Sequence, residues 1–359
     1  MKRLVLCVML LGAVVAAAQN LRLEDPRPQI VNGKLSEQAM SGTLAQTIER
    51  LGAGGQAAWI GYSVPKVAGV QQMCCFNARS AFRGNPQCCG GCRLESGDNS
   101  NTMGRVNDCP EPQTDRFFVL VRVGSGEVLR IRPASVDCGL DLGGLTLYWL
   151  NQVKPAESVA WLSSFLTNES KKQRNNALTA LALHQDPAAE AVLFRLLKPP
   201  QPKDIRNQAA FWLGSEHGRK GYEAVRDAIR NDSDSKFRQE AIFALSESEE
   251  PDAQQEMIRL AHEDRDPDVR GQALFWLAQK AGRKVGGVIT DVIENDPDTD
   301  IKKKAVFALT QMDHNEGVPL LIQVAKTNKN PVVRKEAIFW LGQSEDPRAL
   351  DYIESILTK

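Results

Sequence analysis

A short stretch that recurs every 32 residues constrains this chain more than any other feature. In its clearest copy, residues 267–278, Arg270, Ala273 and Leu277 stand three and four residues apart. Such spacing places side chains on one face of a helix. The same columns run through six copies without insertion or deletion: Arg174, Arg206, Arg238, Arg270, Lys302 and Arg334; Ala177, Ala209, Ala241, Ala273, Ala305 and Ala337; Leu181, Leu213, Leu245, Leu277, Leu309 and Leu341. A fixed period in this range predicts a stacked repeat array.

A second amphipathic segment lies between successive copies and has the same period. Four of its seven starting positions are proline, which suits the first turn of a helix. The seven positions are Pro155, Pro187, Arg219, Pro251, Arg283, Asn315 and Pro347. One helix pair cannot bury its apolar face alone, so each pair is predicted to be covered by the next. Residues 151–359 are therefore predicted to form six helix pairs plus a final helix.

Aromatic residues occupy two neighbouring columns of the repeat. The residue before the column leucine alternates in size, which predicts that the indoles pack in the core against small residues: Ala180, Trp212, Ala244, Trp276, Ala308 and Trp340. The column two residues after the alanine points about 160° away from it, towards polar neighbours. It reads Thr179, Phe211, Phe243, Phe275, Phe307 and Phe339. These phenylalanines either pack between repeats or form an exposed ridge that grips an extended peptide or amphipathic helix.

The repeated residues resemble HEAT repeats, in particular the short bacterial form named for phycobilisome lyases. The matching features are the Asp-Pro-Asp-Val-Arg run at 266–270, the alanine column, and the Ala-Leu or Trp-Leu pair that follows it. The resemblance covers about residues 155–359. It implies an all-α, right-handed α-solenoid whose second helices line the concave side and bind protein partners.

The resemblance also implies a ladder between the arginine column and an aspartate column formed by Asp232, Asp264 and Asp296. Asn328 stands in the aspartate column of the sixth unit, and Lys302 stands in the arginine column of the fifth. The ladder is therefore expected to be imperfect at these two positions.

The N-terminus has the pattern of a secretory signal peptide. Lys2 and Arg3 precede an apolar run that ends in three alanines at 16–18, and this run is too short for a membrane span. Residues 1–18 are predicted to be removed after Ala18, so the protein is expected to be exported, either periplasmic or secreted. Removal would leave 42 basic and 44 acidic residues. This balance and export both argue against a nucleic-acid partner, and no other stretch reaches membrane length.

The residues before the repeats predict a small α+β domain at 35–150, preceded by an extended linker at 19–34. Local patterns predict a helix at 35–51 with Ser36 as its cap, a strand at 57–64, and a hairpin of 117–123 with 127–133. Residues 145–150 predict either another strand or the start of the helical array. This domain is expected to cover the open N-terminal end of the array.

All cysteines of the mature chain lie in this domain, and the loop at about 74–112 is predicted to be disordered or tied down by disulfides. The disulfide candidates are Cys74, Cys75, Cys88, Cys89, Cys92, Cys109 and Cys138. Seven is odd, so at least one thiol is unpaired, bridged to another chain, or a ligand. Cys89 and Cys92 also have the spacing of a redox pair or half a metal site, for which Cys88 is a further weak candidate.

Nothing in the sequence predicts a catalytic or cofactor site. The four histidines share no column and are expected to be ordinary surface or turn residues: His184, His217, His262 and His314. The sequence therefore predicts a non-enzymatic scaffold or adaptor without a cofactor, which binds a protein or peptide along the concave face. Phe211, Phe243, Phe275, Phe307 and Phe339 are its candidate partner-binding residues. The alternative is a thiol-redox or metal-handling protein that acts through Cys89 and Cys92, with the solenoid as a docking arm.

Overall fold

The computed structural model describes residues 25–68, 91–95, 102–103, 115–136, 138–167 and 170–358. A mixed β-sheet and one helix come first, and an array of helices follows from Pro155 onwards. The helical repeat array predicted from the 32-residue period is confirmed, while its right-handed sense stays a prediction. None of the helices in these residues is both long enough and apolar enough to cross a bilayer. The predicted signal peptide, residues 1–18, lies outside the described residues.

Seven strands form the sheet in this part of the chain. They are β1 (Gln29–Gln38), β2 (Ala58–Pro65), β3 (Gly91–Arg93), β4 (Thr102–Met103), β5 (Arg116–Gly124), β6 (Glu127–Ser135) and β7 (Gly139–Leu150). The strand order is β4-β3-β7-β2-β5-β6, and β1 also pairs with β7. β7 runs parallel to β1, β2 and β3, whereas β5 is antiparallel to β2 and β6.

The predicted strand at 57–64 and the predicted hairpin are confirmed as β2 and as β5 with β6. The hairpin turns through Ser125 and Gly126, both at positive φ, which is the backbone geometry that matches the twist of the flanking strands. Residues 145–150 belong to β7 and not to the helical array. Within the predicted loop at 74–112, residues 91–93 form β3 and pair with β7.

The predicted helix at 35–51 is wrong in its first half, and the predicted linker at 19–34 ends too late. Gln29–Gln38 is strand β1, and Ser36 pairs with Tyr148 of β7, so Ser36 caps no helix. The helix is α1 (Leu44–Gly52), with Thr43 as N-cap and Gln46 completing a capping box. The pairing partner of β1 lies far along the chain, so the local pattern did not reveal it.

Thirteen helices follow within the described residues. They are α2 (Pro155–Ser163), α3 (Lys171–Ala182), α4 (Pro187–Leu196), α5 (Lys203–Glu216), α6 (Gly218–Asn231), α7 (Ser235–Ser246), α8 (Ala253–Glu263), α9 (Pro267–Ala281), α10 (Gly286–Asn295), α11 (Thr299–Leu309), α12 (His314–Thr327), α13 (Pro331–Gly342) and α14 (Pro347–Leu357). The odd-numbered helices from α3 to α13 carry the alanine and leucine columns, and we call them column helices. The alanine and leucine columns are buried throughout, as the pattern predicts.

Side-chain caps fix where the column helices begin. The side chains of Asp234, Asp266, Asp298 and Asn330 each accept a hydrogen bond from a backbone N–H in the first turn of the next helix. Such caps satisfy amides that have no partner inside the helix. The 32-residue spacing of these caps keeps the column helices in register.

The sheet covers the N-terminal end of the array. The backbone of β2 continues into Lys66 and Val67, which bond to the turn after α3: Val67 N donates to Leu183 O (2.9 Å) and Gln185 N donates to Pro65 O (3.0 Å). One apolar cluster runs without interruption from Leu44 of α1 through the sheet and along the repeats. The first helix pairs are therefore sheltered from water by the sheet.

His184 lies inside this junction, so it is a turn residue, as one of the two predicted alternatives has it, but not a surface residue. Its side chain is 1% exposed, and its ring packs edge-on against Phe117 of β5 at 5.2 Å between centroids. The residue follows the last turn of α3, which is why the sequence resembles a turn. Burial comes from the sheet, which the helical pattern does not reveal.

Candidate functional site

The phenylalanine and tryptophan columns form one continuous row of rings across the column helices. We call these eight residues the aromatic array: Phe211, Trp212, Phe243, Phe275, Trp276, Phe307, Phe339 and Trp340. Phe211 stacks on Phe243 with 5.7 Å between ring centroids. Phe275 stacks on Phe307 in the same way at 6.2 Å. The row therefore follows the solenoid axis from α5 to α13.

Two tryptophans join these stacked pairs to their neighbours. Trp276 lies 4.6 Å from Phe243 and 5.1 Å from Phe275. Trp340 lies 4.9 Å from Phe307 and 5.0 Å from Phe339. Offset and edge-on ring pairs add attraction beyond the area that they bury. The alternation of tryptophan with alanine therefore gives the array a period of two repeat units.

The rings of the aromatic array differ in how far they are buried. Trp212 is only 3% exposed, as predicted for a core residue. Trp276 and Trp340 are only partly buried, as are the first four phenylalanines of the column. Phe339, on the last column helix, is 54% exposed. Packing between repeats and partial exposure thus both apply, because the rings contact one another and all except Trp212 keep one side at the surface.

Polar side chains border the array on both sides. Towards the N-terminal ends of the column helices, Lys203 Nζ lies 2.7 Å from Glu240 Oε1, and Lys304 forms an ion pair with Asp268. The hydrogen bond from Lys304 lowers the pKa of the Asp268 carboxyl. Towards the C-terminal ends, Gln279 Nε2 donates to Gln311 Oε1 at 3.4 Å. An apolar centre with a polar rim is the usual anatomy of a protein interface.

A groove of about 460 Å³ opens beside Phe307 and is lined by residues of α9, α11 and α13. Ile301 and Phe307 form its apolar lining, and Asp300 and Glu336 stand among its charged residues. Its chemistry is that of a recess for a side chain with an apolar stem and a polar end.

The arginine–aspartate ladder implied by the sequence joins neighbouring units. Arg206 pairs with Asp232. Arg238 makes a two-pronged contact with Asp264, at 2.9 and 3.1 Å. Each aspartate also accepts the backbone N–H two residues on, for example Asp266 N to Asp264 Oδ1 at 2.9 Å. One carboxylate therefore closes a turn and binds the preceding unit, a charge-assisted arrangement that is strong and directional.

The ladder continues with Arg270, whose Nε lies 3.1 Å from Asp296 Oδ2, and breaks at the next rung. Lys302 Nζ donates to the backbone oxygen of Glu294 at 2.6 Å, with no carboxylate from the aspartate column. Asn328 Nδ2 instead donates to Glu294 Oε1 at 2.8 Å. The expected imperfection is confirmed, and both substitutions fall on the same rung.

The described cysteines do not support a thiol site. Cys92 lies in β3, is fully buried and is disulfide-bonded. Cys138 is buried in the same apolar cluster, which also contains Trp149. A reactive thiol needs access to its substrate, which the burial of Cys92 does not provide. The remaining candidates lie outside the described residues: Cys74, Cys75, Cys88, Cys89 and Cys109.

The structure does not bring the four histidines together. His217 is partly buried, and burial lowers its pKa; its Nε2 lies 3.0 Å from Ala182 O. His262 lies 3.7 Å from Asp291 at the surface. Among the described residues, no three side chains of His, Cys, Asp or Glu are grouped to hold a metal ion.

Comparison with known families gives one match, to HEAT repeats, over residues 191–278 and 288–359. Among solved structures, the complex of CpcE and CpcF of phycocyanin lyase from Nostoc sp. PCC7120 is similar, at 15% identity and TM-score 0.33, over 43% of this chain and 98% of that one. Human deoxyhypusine hydroxylase is similar at 19% identity and TM-score 0.25, over 55% and 77%. Escherichia coli YibA is similar at 19% identity and TM-score 0.36, over 57% and 79%. A comparison with curated proteins gives no match.

Proposed function

The chain is a HEAT-repeat protein, and we propose that it is an exported scaffold or adaptor that binds a protein or peptide partner on its aromatic array. The observation that carries this proposal is the row of eight rings, each in contact with the next and several with one side at the surface. Aromatic side chains with a polar rim are the residues that contribute most to binding in protein interfaces.

Rigidity supports the same proposal. Six of the eight rings contact a ring on the neighbouring column helix, so little side-chain freedom remains to be lost there when a partner binds. Pre-organised surfaces bind more tightly for the same contact area. Placement of the array on the concave face, as the resemblance implies, belongs to this proposal.

Partner capture with array variants tests the proposal. Wild-type protein is used as bait in an envelope or culture fraction, beside Phe275→Ser and Phe339→Ser. Leu129→Ser is the matched control, because Leu129 is 50% exposed on the β5–β6 hairpin, away from the array. We expect the same partner with wild type and Leu129→Ser, and its loss with both array variants. Equal recovery with all four proteins would overturn the proposal.

Export is tested separately. The predicted signal peptide places the first mature residue at Gln19. N-terminal sequencing of the protein from periplasmic and culture fractions should therefore begin at Gln19. Recovery of protein that still carries Met1 from the cytoplasm alone would contradict export.

A further inference from the structure

The groove beside Phe307 combines an apolar lining with an excess of negative charge. Four carboxylates and two ammonium groups line it: Asp268, Asp298, Asp300, Glu336, Lys303 and Lys304. Its net charge is therefore −2 (two positive against four negative). The ring of Phe307 closes one side of the groove and at the same time belongs to the aromatic array.

Most of this charge already has an internal role. Asp268 pairs with Lys304, and Asp300 lies 3.5 Å from Lys303. Asp298 accepts the N–H of Asp300 at 2.8 Å as the cap of α11. These three carboxylates therefore each have a partner within the chain. The fourth carboxylate of the groove is that of Glu336.

Glu336 is different from its neighbours. Its Oε1 accepts a hydrogen bond from Trp340 Nε1 at 2.9 Å, and it forms no salt bridge with any described residue. The indole N–H orients the carboxylate without neutralising it. A negative charge is thus fixed between the groove and an array tryptophan.

On the basis of the proposed function, we propose that this groove receives a lysine or arginine side chain from an extended segment of the partner. The aliphatic stem of that side chain lies on Phe307, its charged end reaches Glu336 and Asp300, and adjacent apolar side chains of the segment pack on the array. Long basic side chains carry an apolar stem and a charged end, which complement this lining. A carboxylate would be repelled by the net negative charge, and a purely apolar side chain would desolvate Glu336 without compensation.

The chain contains the corresponding sequence positions two repeat units earlier. Phe243 corresponds to Phe307 there, but Gln272 stands in the column of Glu336 and Lys236 in that of Asp300. The two positions that supply unpaired or exposed negative charge at Phe307 are thus neutral or positive at Phe243. Gln239 and Glu240 stand in the columns of Lys303 and Lys304, so the two sets of positions differ in where the charge lies and not in its sum. The proposal therefore assigns the preference for a basic side chain to the carboxylates of Glu336 and Asp300.

Synthetic peptides test the proposal with the full-length protein. The probes are three acetylated, amidated nonapeptides of leucine, proline, serine and glycine that differ only in a central arginine, glutamine or glutamate. Affinities are measured by titration calorimetry for wild type and for the groove variant, Glu336→Gln with Asp300→Lys. At these two positions the variant carries the residue types that stand two repeat units earlier. Glu127→Gln, an exposed carboxylate on the hairpin, is the control for a general change in charge.

We expect wild type and Glu127→Gln to bind the arginine peptide about tenfold more tightly than the glutamate peptide, a difference of about 1.4 kcal/mol. The groove variant has a lining of net charge +1 (three positive against two negative), so it should lose the arginine preference and keep the affinity of wild type for the glutamine peptide. An equal or stronger affinity of wild type for the glutamate peptide would overturn the proposal, as would an unchanged arginine preference in the groove variant. Absence of binding by all three peptides would also overturn it.

Partner capture separates this inference from the proposed function. If capture is lost with Phe339→Ser but unchanged in the groove variant, the proposed scaffold function stands. The proposal that the groove receives a basic side chain is then wrong. If capture persists with Phe275→Ser and Phe339→Ser, the proposed function itself is wrong.

Discussion

His184 Nε2 lies 2.8 Å from Ser158 Oγ, where the helical array meets the β-sheet. The same hydroxyl oxygen lies 2.8 Å from the phenol oxygen of Tyr62 on β2. All three side chains are buried. On the other side of the ring, His184 Nδ1 lies 2.7 Å from the carbonyl oxygen of Ala180. A carbonyl only accepts, so Nδ1 carries the proton in the neutral ring, Nε2 accepts from Ser158, and Ser158 accepts from Tyr62.

This chain of hydrogen bonds is complete only while His184 is neutral. Burial lowers the pKa of His184 from 6.5 to about 4 and raises that of Tyr62. A protonated ring would present a second donor to Ser158, which would then have to turn its own hydrogen towards Tyr62. The junction therefore depends on the protonation state of one side chain.

Stability should fall as the pH is lowered through this range. The pKa of His184 is depressed in the folded chain, so the unfolded chain takes up a proton first. The stabilisation is thus complete above about pH 6.5 and is lost as the pH falls towards 4. We expect a loss of about 3 kcal/mol in the free energy of unfolding from this residue. Urea unfolding at pH 7, 5.5 and 4 measures it.

The comparison protein is His184→Gln, which does not titrate. His217 also has a lowered pKa, so only the difference between the two proteins reports on His184. The wild type should lose about 3 kcal/mol more than the variant between pH 7 and pH 4. Parallel curves for the two proteins would show that the junction does not depend on the charge of this histidine.

Removal of the Ser158 hydroxyl should reduce the free energy of unfolding more than removal of the Tyr62 hydroxyl. Ser158→Ala leaves both His184 Nε2 and the Tyr62 hydroxyl buried without a partner, so we expect a loss of about 2–4 kcal/mol. Tyr62→Phe removes one donor and leaves the His184–Ser158 bond intact, so we expect about 1 kcal/mol. Denaturant unfolding at pH 7 measures both. The reverse order would contradict the hydrogen-bond directions given above.

Substitution of a ring in the middle of the aromatic array should reduce stability more than substitution of the exposed ring at its end. Trp276 has ring contacts on both sides, with Phe243 and Phe275, so Trp276→Ala should cost about 3–5 kcal/mol. Phe339 contacts Trp340 and is 54% exposed, so Phe339→Ser should cost less than about 1 kcal/mol. Thermal unfolding of the two variants provides the measurement. A similar loss in both would mean that the exposed end of the array is as structural as its middle.

The repeats could be predicted from sequence because each residue's environment is set by neighbours one helical turn away or one unit away. Arg238 and Asp264 belong to columns, and their contact is the one that the resemblance to HEAT repeats implies. For the aromatic array, the sequence predicts only the direction in which the phenylalanine side chains point. The helical wheel places Phe275 away from the core, but its contact with Phe307 depends on the distance between two column helices.

Long-range pairing is what the sequence does not reveal. β1 was predicted as a linker and part of a helix, because its partner β7 lies more than a hundred residues further along the chain. His184 has the sequence context of a turn and is buried only because the sheet covers it. The difference between Glu336 and Gln272 is visible in the sequence, but its meaning depends on the groove between three column helices.

Lys302→Arg and Asn328→Asp together should restore the missing contact of the ladder. Their effects on the free energy of unfolding should not be additive. Lys302 and Asn328 stand where the other rungs have arginine and aspartate, and Asn328 is buried beside Glu294. Asn328→Asp alone places a second carboxylate next to Glu294, while the Lys302 ammonium is held at the backbone oxygen of Glu294, so we expect a loss of about 2–3 kcal/mol. Lys302→Arg alone should change the free energy of unfolding by less than about 0.5 kcal/mol, because Asn328 offers the new guanidinium no charge.

The double variant recreates the two-pronged contact seen between Arg238 and Asp264, at 2.9 and 3.1 Å. We therefore expect it to recover most of the loss, with a coupling energy of about 1–3 kcal/mol in a double-mutant cycle. Arg238→Met, which leaves Asp264 buried without its partner, is the matching test in an intact rung and should cost about 3–5 kcal/mol. Additive effects of the two repairs, within about 0.5 kcal/mol, would show that position 302 does not reach position 328 and that the ladder geometry ends at Asp296.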